Sequence, residues 1–412
     1  MSDPHIVVVG ASLGGLRTVE SLRALAVTSS ITVVGEETYM PYNRPPLSKE
    51  FLQAGADGQR PAPESLFFKV KATLGDVAWR LGSRAEEVEL SKGVLRLEDG
   101  TRFTFDALVV ATGLRPRRLS IPGAVDQRFT CRTVEDALAI RNRVRPGTEV
   151  VIAGAGFIGC EIAATLSKLG AKVTIVEPFG LPMERSLGRS LATAFMDYHS
   201  EQSVAFRIGR SITGIVTTRH DTISHVELDN GERLQADIII EALGSLSNVE
   251  WLAGNGLDLS DGILCDRDMK VEGRDNVVGV GDVARFPNDF IGPEARRTEH
   301  WCVPGQTAKR AAETLAIWMG KEIAREKAFA PLPSFWSDQY GMRIQAFGSA
   351  IGVNRWEQLE GEASAAGLPQ GVAIGGYVRD RMAYVVTVGL PPAKSIMYRN
   401  MVVQKQSELL PQ

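Results

Sequence analysis

The sequence predicts an α/β fold in which one parallel-sheet domain is inserted into another and a C-terminal α+β domain follows. The first observation is a pattern of apolar strand, glycine turn, amphipathic helix and second apolar strand, which occurs twice, about 145 residues apart. Each copy is typical of a βαβ unit. The second observation is a change of character after about residue 322, where short strand-like runs such as MRIQAFG, GVAIGGYVRD and MAYVVTVG are separated by glycine and proline turns.

The first βαβ unit begins almost at the amino terminus, as HIVVVGASLGGLRTVESLRAL followed by SITVVGEE. Its turn is Gly10-Ala11-Ser12-Leu13-Gly14-Gly15, so a serine replaces the second glycine of the GxGxxG pattern. Serine is small enough to let the backbone approach a phosphate, and its hydroxyl can contact one. Glu36 or Glu37 follows the second strand and offers a carboxylate to a ribose. We therefore expect this unit to bind a dinucleotide.

The second βαβ unit has the complete pattern, Gly154-Ala155-Gly156-Phe157-Ile158-Gly159. The first glycine allows the tight turn, the second lets the backbone approach a pyrophosphate, and the third lets the helix pack on the strand. Glu177 ends the following strand, where a carboxylate accepts hydrogen bonds from ribose hydroxyls and repels a 2′-phosphate. This residue favours NADH over NADPH, although Arg185 further along leaves a phosphate contact open.

Three further apolar strands end in glycine and complete the domain plan. FDALVVATGLRPR ends its strand at Ala111-Thr112-Gly113, ADIIIEALGS closes at Gly244, and NVVGVGDVA ends at Gly281-Asp282, where the aspartate can bond a flavin ribityl chain. The first two are interpreted as crossings between domains. We predict two Rossmann-type dinucleotide-binding domains, for FAD and NAD, the second inserted in the first. The predicted boundaries are 1–113 and 243–322 for the FAD-binding domain, 114–242 for the NAD-binding domain, and 323–412 for the C-terminal α+β domain.

Composition excludes several classes of protein. A net charge of −3, with 44% hydrophobic and 23% charged residues, is typical of a globular protein and points to neither nucleic acid nor a membrane surface. The five histidines form no spaced set, so we expect no metal site. No secretory signal or membrane-spanning run is recognised, and we expect a cytoplasmic protein. The cysteines are too far apart for a CxxC dithiol: Cys131, Cys160, Cys265 and Cys302.

Several segments together resemble a known family. They are residues 41–49 (PYNRPPLSK), ATGLRPR, GAGFIGCEIA, NVVGVGDVA, the EHW of residues 299–301, and residues 335–345 (FWSDQYGMRIQ). The chain resembles, from residue 6 to about residue 390, the NADH-dependent, FAD-containing ferredoxin reductases of bacterial oxygenase systems. RPPLSK and FWSDQY are specific to that group and its relatives, the rubredoxin reductases and apoptosis-inducing factors. The glycine motifs are shared by all flavoproteins that bind two dinucleotides.

The resemblance implies roles for individual residues. Lys49 would lie near the flavin N5 and pair with Glu161 across the domain boundary, and a helix beginning near His300 and Trp301 would point its N-terminus at the flavin. A plain interdomain ion pair and simple core packing of Trp301 remain the alternative interpretations. Trp336 would lie near the docking face. The candidate catalytic residues are Lys49 and Glu161, and the candidate cofactor-binding residues are Gly10, Ser12, Leu13, Gly15, Glu36, Arg44, Lys49, Ala111, Thr112, Gly113, Arg132, Gly154, Gly156, Phe157, Ile158, Gly159, Glu161, Glu177, Gly244, Gly281, Asp282, His300, Trp301 and Trp336.

The absence of cysteine from residues 43–49 determines which electron acceptor we expect. Disulfide reductases and flavin-dependent peroxidases need cysteine there, and this chain has none. Reduced flavin would then pass single electrons to an external carrier, most simply a small acidic [2Fe–2S] ferredoxin that feeds a cytochrome P450 or a Rieske oxygenase. A rubredoxin reductase, an NADH-sensing flavoprotein and an NADH oxidase are the alternatives. The candidate basic docking residues are Arg115, Arg117, Arg118, Arg296, Arg297, Lys309 and Arg310.

Overall fold

The structure is a computed structural model that describes residues 4–53, 61–324 and 329–407. These residues form two compact units. The first unit comprises Met1–Asn43, Leu66–Arg115 and Leu246–Phe335. The second unit comprises Arg44–Ser65, Pro116–Ser245 and Trp336–Gln412.

The described residues form 26 strands and six α-helices. The helices are α1 (Leu13–Ala24), α2 (Val134–Arg143), α3 (Phe157–Lys168), α4 (Glu184–Glu201), α5 (Val303–Trp318) and α6 (Pro392–Ser407). The strands are β1 (His5–Val9), β2 (Ser30–Val34), β3 (Ala78–Arg80), β4 (Ala85–Glu89), β5 (Val94–Leu97), β6 (Arg102–Thr104), β7 (Ala107–Val110), β8 (Leu114–Pro116), β9 (Arg128–Phe129), β10 (Glu149–Ala153), β11 (Lys172–Glu177), β12 (Val204–Ile208), β13 (Ile212–Thr217), β14 (Ile223–Leu228), β15 (Arg233–Gln235), β16 (Ile238–Glu241), β17 (Ser245–Ser247), β18 (Ile263–Leu264), β19 (Val277–Gly279), β20 (Ala284–Asn288), β21 (Gly292–Arg297), β22 (Ser334–Gln339), β23 (Met342–Gly348), β24 (Arg355–Glu360), β25 (Val372–Val378) and β26 (Arg381–Val388).

A parallel sheet of order β19-β7-β1-β2-β3 is the centre of the first unit. Strands β1, β2, β7 and β19 are rich in valine, isoleucine and leucine and are buried almost throughout, as expected of a parallel sheet covered on both faces. Helices α1 and α5 pack against each other and belong to the same apolar core as these strands. Two smaller sheets, β4-β5-β6 and β18-β20-β21, complete the unit.

The second unit repeats this plan with a parallel sheet of order β12-β11-β10-β16-β9. In both sheets the first strand of the βαβ unit lies between the second strand of that unit and a strand that arrives later in the chain. The glycine after β1 donates its N–H to Val34 at 2.8 Å, and the glycine after β10 donates to Val176 at 2.8 Å. The predicted α/β fold class with two Rossmann-type sheets is confirmed. An antiparallel meander, β13-β14-β15, belongs to the same unit.

The C-terminal part of the second unit is a five-stranded sheet of order β22-β23-β26-β25-β24, on which α6 packs. The pairs β23–β26, β26–β25 and β25–β24 are antiparallel. Strands β23, β25 and β26 are the three runs that the sequence predicts, and one 3₁₀ turn, Leu368–Gln370, lies between β24 and β25. Helix α6 and strand β24 were not predicted. Strand β24, RWEQLE, lacks an alternating apolar face, so its pattern gives no strand signal.

Candidate dinucleotide sites and a buried ion pair

The glycine turn after β10 is shaped by close backbone approaches. Gly154 has φ +103°, and a Cβ there would lie 2.4 Å from the carbonyl oxygen of Ala242. A Cβ on Gly159 would lie 2.2 Å from the carbonyl oxygen of Gly154. Both distances are far inside van der Waals contact, so the strand-to-helix turn requires glycine at its first and third positions.

Gly156 has a different role, because its backbone is not in the left-handed region. It is the N-cap of α3, with φ −73°, and a Cβ there would meet nothing within 4 Å. The turn itself therefore does not require glycine at this position. The open space lies at the helix N-terminus, where unpaired N–H groups and the helix dipole attract phosphate. This cradle fits a dinucleotide pyrophosphate.

Glu177, at the end of β11, is held against the same turn. Its carboxylate accepts the Ala155 N–H at 2.9 Å and the Phe179 N–H at 2.8 Å. Each carboxylate oxygen can accept more than one hydrogen bond, so a ribose diol can bind there too. Phe179, a residue that is 83% exposed, follows in the next loop, and sequence reasoning missed it. An exposed phenylalanine beside this candidate ribose carboxylate could offer an apolar face to an adenine.

Gly154 and Gly156 of this turn give a matched pair of variants. Gly154→Ala is expected to destabilise the protein by about 1–3 kcal/mol, because alanine at φ +103° would be strained and would meet the Ala242 carbonyl. Gly156→Ala is expected to keep the unfolding free energy within about 1 kcal/mol of wild type. It should nevertheless weaken NADH binding about tenfold, because its methyl group enters the cradle. Calorimetry and fluorescence titration measure the two effects, and unchanged NADH binding by Gly156→Ala would contradict the cradle.

The turn after β1 in the first unit is built in the same way. Gly10 has φ +123°, and a Cβ there would lie 2.1 Å from the carbonyl oxygen of Ala111. A Cβ on Gly15 would lie 2.0 Å from the carbonyl oxygen of Gly10. Ser12 is the N-cap of α1, which corresponds to Gly156 in the second unit. The weaker sequence motif therefore forms the same turn as the complete one.

The two candidate ribose carboxylates after β2 differ in their surroundings. Glu37 accepts a hydrogen bond from the Tyr42 hydroxyl at 2.5 Å. Glu36 is 68% exposed and lies 3.9 Å from Arg84, too far for a hydrogen bond. A ribose would not have to displace the tyrosine in order to reach Glu36. We therefore retain Glu36 as the candidate.

The region before α5 contains buried polar atoms in need of a partner. The Thr298 hydroxyl and His300 Nδ1 are buried and have no hydrogen-bond partner among the described residues. Burial lowers the pKa of His300 to about 4, so this imidazole is neutral at physiological pH. Gly281 donates its N–H to the Thr307 hydroxyl of α5 at 2.9 Å, which ties the Gly281-Asp282 turn to this helix. Buried polar atoms at a helix N-terminus fit a polar cofactor, and FAD supplies such groups.

The remaining candidates of the first unit lie on its crossing segment or before α5. Thr112 donates its hydroxyl to the Asn248 carbonyl at 2.6 Å, and Gly113 has φ +60°. Trp301 is half-buried in the turn before α5. In the second unit, Gly244 has φ +85°, and Trp336 is half-buried on β22. No structural observation assigns these residues to a ligand.

The predicted ion pair is present, but both of its residues belong to the second unit rather than to two different domains. Lys49 Nζ lies 2.6 Å from Glu161 Oε2, with only 12% of the lysine and 4% of the glutamate side chain exposed. Lys49 also donates to the Pro45 carbonyl at 3.1 Å. Arg44, from the same RPPLSK segment, donates to the Arg132 carbonyl at 2.7 Å. The segment thus holds a lysine in a nearly water-free position beside one carboxylate.

Glu161 has further partners that sequence reasoning missed. The Ser48 hydroxyl donates to Glu161 Oε2 at 2.6 Å, and the Ser337 hydroxyl donates to Glu161 Oε1 at 2.6 Å. Ser337 is fully buried on β22. Its signal in the sequence is the FWSDQ alternation, which puts Ser337 and Gln339 on one face of the strand. Polar residues on the buried face of a strand are unusual, so this pattern could have identified Ser337 and Gln339 as candidate functional residues.

The cysteines give little support for thiol chemistry at these sites. All four cysteines are free. Burial raises the pKa of Cys131 to about 12 and raises the pKa of Cys160 further, so neither forms a thiolate at neutral pH. The described residues contain no group of three or more histidine, cysteine, aspartate or glutamate side chains suited to a metal ion. Within the same ranges, no helix is both long and apolar enough to cross a membrane.

The candidate basic residues are mostly paired. The prediction that Arg310 lies on a surface patch is wrong, because its side chain is 5% exposed and bonds Asp268 at 2.7 Å. Arg117 and Lys309 are exposed and have no ion-pair partner in the part of the chain that the structure describes. The other pairs are Arg115 with Glu250, Arg118 with Glu241, Arg296 with Glu294, and Arg297 with Asp261 and Glu299.

Comparison with known proteins agrees with this geometry. The family model described as pyridine nucleotide-disulphide oxidoreductase matches residues 4–308. The chain is 32% identical over 359 residues to the ferredoxin–NAD(+) reductase component of the anthranilate 1,2-dioxygenase system of Burkholderia cepacia, covering 84% of this chain and 82% of that protein. It is 28% identical over 399 residues to rubredoxin–NAD(+) reductase of Pseudomonas putida, covering 94% and 96%. A solved covalent putidaredoxin reductase–putidaredoxin complex matches with a TM-score of 0.88 and 28% identity, covering 98% of this chain and 94% of that one.

Proposed function

Because this chain belongs to the pyridine nucleotide-disulphide oxidoreductase family, we propose that it is the reductase that carries electrons from NADH to a small [2Fe–2S] ferredoxin. The ferredoxin would in turn supply a cytochrome P450 or a Rieske oxygenase. The chain is an oxidoreductase and uses FAD and NAD(H). Its relatives in oxygenase systems, about 30% identical over most of the chain, support the ferredoxin as acceptor.

The observation that carries the proposal is the combination of two dinucleotide cradles with a segment, Arg44–Lys49, that contains no cysteine. Each unit has a glycine turn at the carboxyl edge of a parallel sheet, as a protein that binds two dinucleotides requires. The segment Arg44–Lys49 presents a lysine and no cysteine, so it offers no disulfide that a reduced flavin could reduce. When bound, FAD accepts a hydride from NADH and releases electrons singly, which matches a two-electron donor to a one-electron acceptor.

We assign FAD to the domain of residues 1–113 and 243–322, and NADH to residues 114–242, with residues 323–412 as a separate C-terminal domain. The turn at Gly10–Gly15 would hold the FAD pyrophosphate, and Glu36 would hold the adenosine ribose. The turn at Gly154–Gly159 and Glu177 would do the same for NADH. Because NADH of central metabolism is its donor, we place the reaction in the cytoplasm.

Lys49 is the residue that we expect to assist hydride transfer. The resemblance implies a position beside the flavin, and Lys49 has one buried carboxylate partner at 2.6 Å, which supports this role. A fixed ammonium group in a nearly water-free position stabilises negative charge that develops close to it. Glu161 would keep that ammonium in place and would not exchange a proton during hydride transfer.

The proposal is tested by ferredoxin-dependent turnover. The purified holoenzyme, NADH and a [2Fe–2S] ferredoxin from an oxygenase system are mixed with cytochrome c as the final acceptor. Rapid cytochrome c reduction that requires the ferredoxin is the expected result. Equal consumption of NADH with oxygen alone, at the same rate as with the ferredoxin, would instead identify an NADH oxidase.

A rubredoxin reductase is the second candidate, favoured by the similarity to rubredoxin–NAD(+) reductase over 94% of the chain. Nearly every residue of the two dinucleotide sites would serve either acceptor equally well. Direct comparison of kcat/KM for a ferredoxin and a rubredoxin, under the same conditions, separates the two. We expect a higher value for the ferredoxin.

Salt dependence tests how the acceptor docks. Arg117 is an exposed, unpaired cation within the described residues, so Arg117→Glu is expected to raise the KM for an acidic ferredoxin about threefold at low ionic strength. The difference should disappear at high salt, because exposed charges are then screened. Arg219→Glu, at an exposed position in the turn between β13 and β14, is the matched control and should behave like wild type. A wild-type rate that stays flat from low to high salt would rule out electrostatic docking.

A further inference from the structure

A chain of hydrogen bonds runs behind Glu161 through the interior of the second unit. Ser337 Oγ lies 2.6 Å from Glu161 Oε1, and Gln339 Nε2 lies 3.3 Å from Ser337 Oγ. His199 Nε2 lies 2.9 Å from Gln339 Oε1, and the Tyr340 hydroxyl lies 3.0 Å from His199 Nδ1. The exposed fractions of Glu161, Ser337, Gln339 and His199 are 4%, 0%, 1% and 0%. Nothing in the reaction itself calls for this set of polar groups.

The chemistry of each group sets the direction of the chain. Ser337 gives its only hydrogen to Glu161, so Ser337 Oγ can only accept from Gln339, and the Nε2 end of the amide must face it. Gln339 Oε1 is then left as an acceptor toward His199. His199 must then carry its proton on Nε2. Burial lowers the pKa of His199 to about 4, so the ring is neutral and Nδ1 accepts from Tyr340. Burial raises the pKa of Tyr340 to about 12, which keeps its hydroxyl a donor.

Every donor in the chain therefore points toward Glu161. Tyr340 donates to His199, His199 to Gln339, Gln339 to Ser337, and Ser337 to the carboxylate. Aligned hydrogen bonds polarise one another, so the bond that reaches the carboxylate is strengthened by those behind it. On the other side, Ser48 accepts from Lys49 at 3.2 Å and donates to Glu161 at 2.6 Å. The carboxylate is held from both sides.

The chain is not built to conduct protons. An amide side chain, here Gln339, does not pass a proton from one atom to another as a hydroxyl or imidazole does. A break of this kind in the middle rules out a relay from Tyr340 to Glu161. What the chain can do is fix the position of the carboxylate, because each link is a directional contact between side chains that are packed in the interior.

We propose that Ser337, Gln339 and His199 are positioning residues for the reaction, which hold Glu161 and, through it, the Lys49 ammonium group. This inference rests on the proposed function, since it takes Lys49 to be the charge beside the flavin. It also explains the FWSDQY segment: Ser337 and Gln339 lie on the buried face of β22 and reach inward, while Asp338 pairs with Arg343 at 2.8 Å on the other face.

The test compares Ser337→Ala with Ser395→Ala in the holoenzyme. Ser395 is also a buried serine of the second unit, bonded to Thr387 at 3.2 Å, and within the described residues it forms no hydrogen bond with the chain behind Glu161. Ser337→Ala is expected to slow flavin reduction at saturating NADH about tenfold, to leave the KM for NADH unchanged, and to make the flavin midpoint potential more negative. Ser337→Thr keeps the hydroxyl and should restore most of the rate. Ser395→Ala should match wild type in all three.

A double-mutant cycle then tests whether Ser337 affects the rate and the potential through Lys49. If Ser337 acts through Lys49, Ser337→Ala has no further effect on rate or potential in a Lys49→Met background. The same tenfold loss in both backgrounds, or an equal loss in Ser395→Ala, would overturn the proposal. Should Ser337→Ala fold poorly, Tyr340→Phe removes the half-exposed end of the chain and should give a smaller change in the same direction. An unchanged potential in both variants would also overturn it.

Two readouts separate this inference from the proposed function. The midpoint potential is measured electrochemically, without NADH or ferredoxin, so it reports on Lys49 even if the acceptor is a different carrier. Nitrogen-15 NMR of labelled histidine should show His199 protonated on Nε2, and Gln339→Leu should abolish that preference. A wild-type enzyme that NADH fails to reduce would refute the proposed function alone. A His199 protonated on Nδ1 would refute the chain alone.

Discussion

Lys49→Met is expected to slow the reduction of bound flavin by NADH about 100-fold, with little change in the KM for NADH. The physical reason is the loss of a fixed positive charge where electron density increases during hydride transfer. The loss should fall on the transition state, because the NADH site that we propose consists of the glycine turn and Glu177 and does not include Lys49. Anaerobic stopped-flow absorbance of the flavin measures the rate directly.

The same substitution has a second effect, which a double variant separates from the first. Removing Lys49 leaves the Glu161 carboxylate, 4% exposed, without its cation, and this is expected to reduce the unfolding free energy by about 3 kcal/mol. Lys49→Met combined with Glu161→Gln removes the uncompensated charge and should recover most of that stability. The slow hydride transfer should remain. Recovery of the rate together with the stability would show that the pair serves folding alone.

Glu177→Ala is expected to raise the KM for NADH about tenfold and to leave the KM for NADPH unchanged or lower. In the role that we propose, the carboxylate would bind the ribose of NADH and repel the 2′-phosphate of NADPH, so its removal should affect the two coenzymes in opposite directions. Initial rates with each coenzyme, at saturating ferredoxin, measure the preference. The rate at saturating NADH should stay close to wild type.

The second coenzyme is the internal control for Glu177→Ala. The carboxylate also accepts the Ala155 and Phe179 N–H groups at 2.9 and 2.8 Å, so its loss loosens the turn for any dinucleotide. A loosened turn would raise both KM values by the same factor. An equal rise would therefore contradict the assignment of Glu177 as the ribose ligand, while leaving it as a structural part of the turn.

The parallel sheets could be predicted because their strands are continuous apolar runs. Strands β1, β7, β10 and β16 are almost entirely buried, and this burial appears in the sequence as three or four consecutive residues of valine, isoleucine, leucine or alanine. Helix α6 was missed because its exposed side includes Ile396 and Met397, which blurs the division into apolar and polar faces. Strands that face solvent on one side, such as β24, carry an even weaker pattern.

The residues of the candidate sites also differ in how far the sequence predicts them. Turn residues such as Gly154 and Gly159 are local, and the reason for each glycine is a backbone atom a few residues away or on the neighbouring strand. Ser48 and Glu161 are 113 residues apart, and the neighbouring Lys49–Glu161 pair was predicted only by the family resemblance. His199 and Gln339, 140 residues apart, meet only when a helix and a strand from distant segments pack together. No local pattern contains that information.

The most direct test of electron flow from NADH through FAD to a ferredoxin is a sequential anaerobic stopped-flow experiment. The yellow holoenzyme is first mixed with one equivalent of NADH and then with an oxidised [2Fe–2S] ferredoxin. Our account predicts that NADH bleaches the flavin faster than NADPH does. It also predicts that two equivalents of ferredoxin then reoxidise the flavin in one-electron steps. A flavin that NADH reduces and that stays reduced in the presence of the ferredoxin, but is reoxidised by oxygen or by a disulfide, would contradict it.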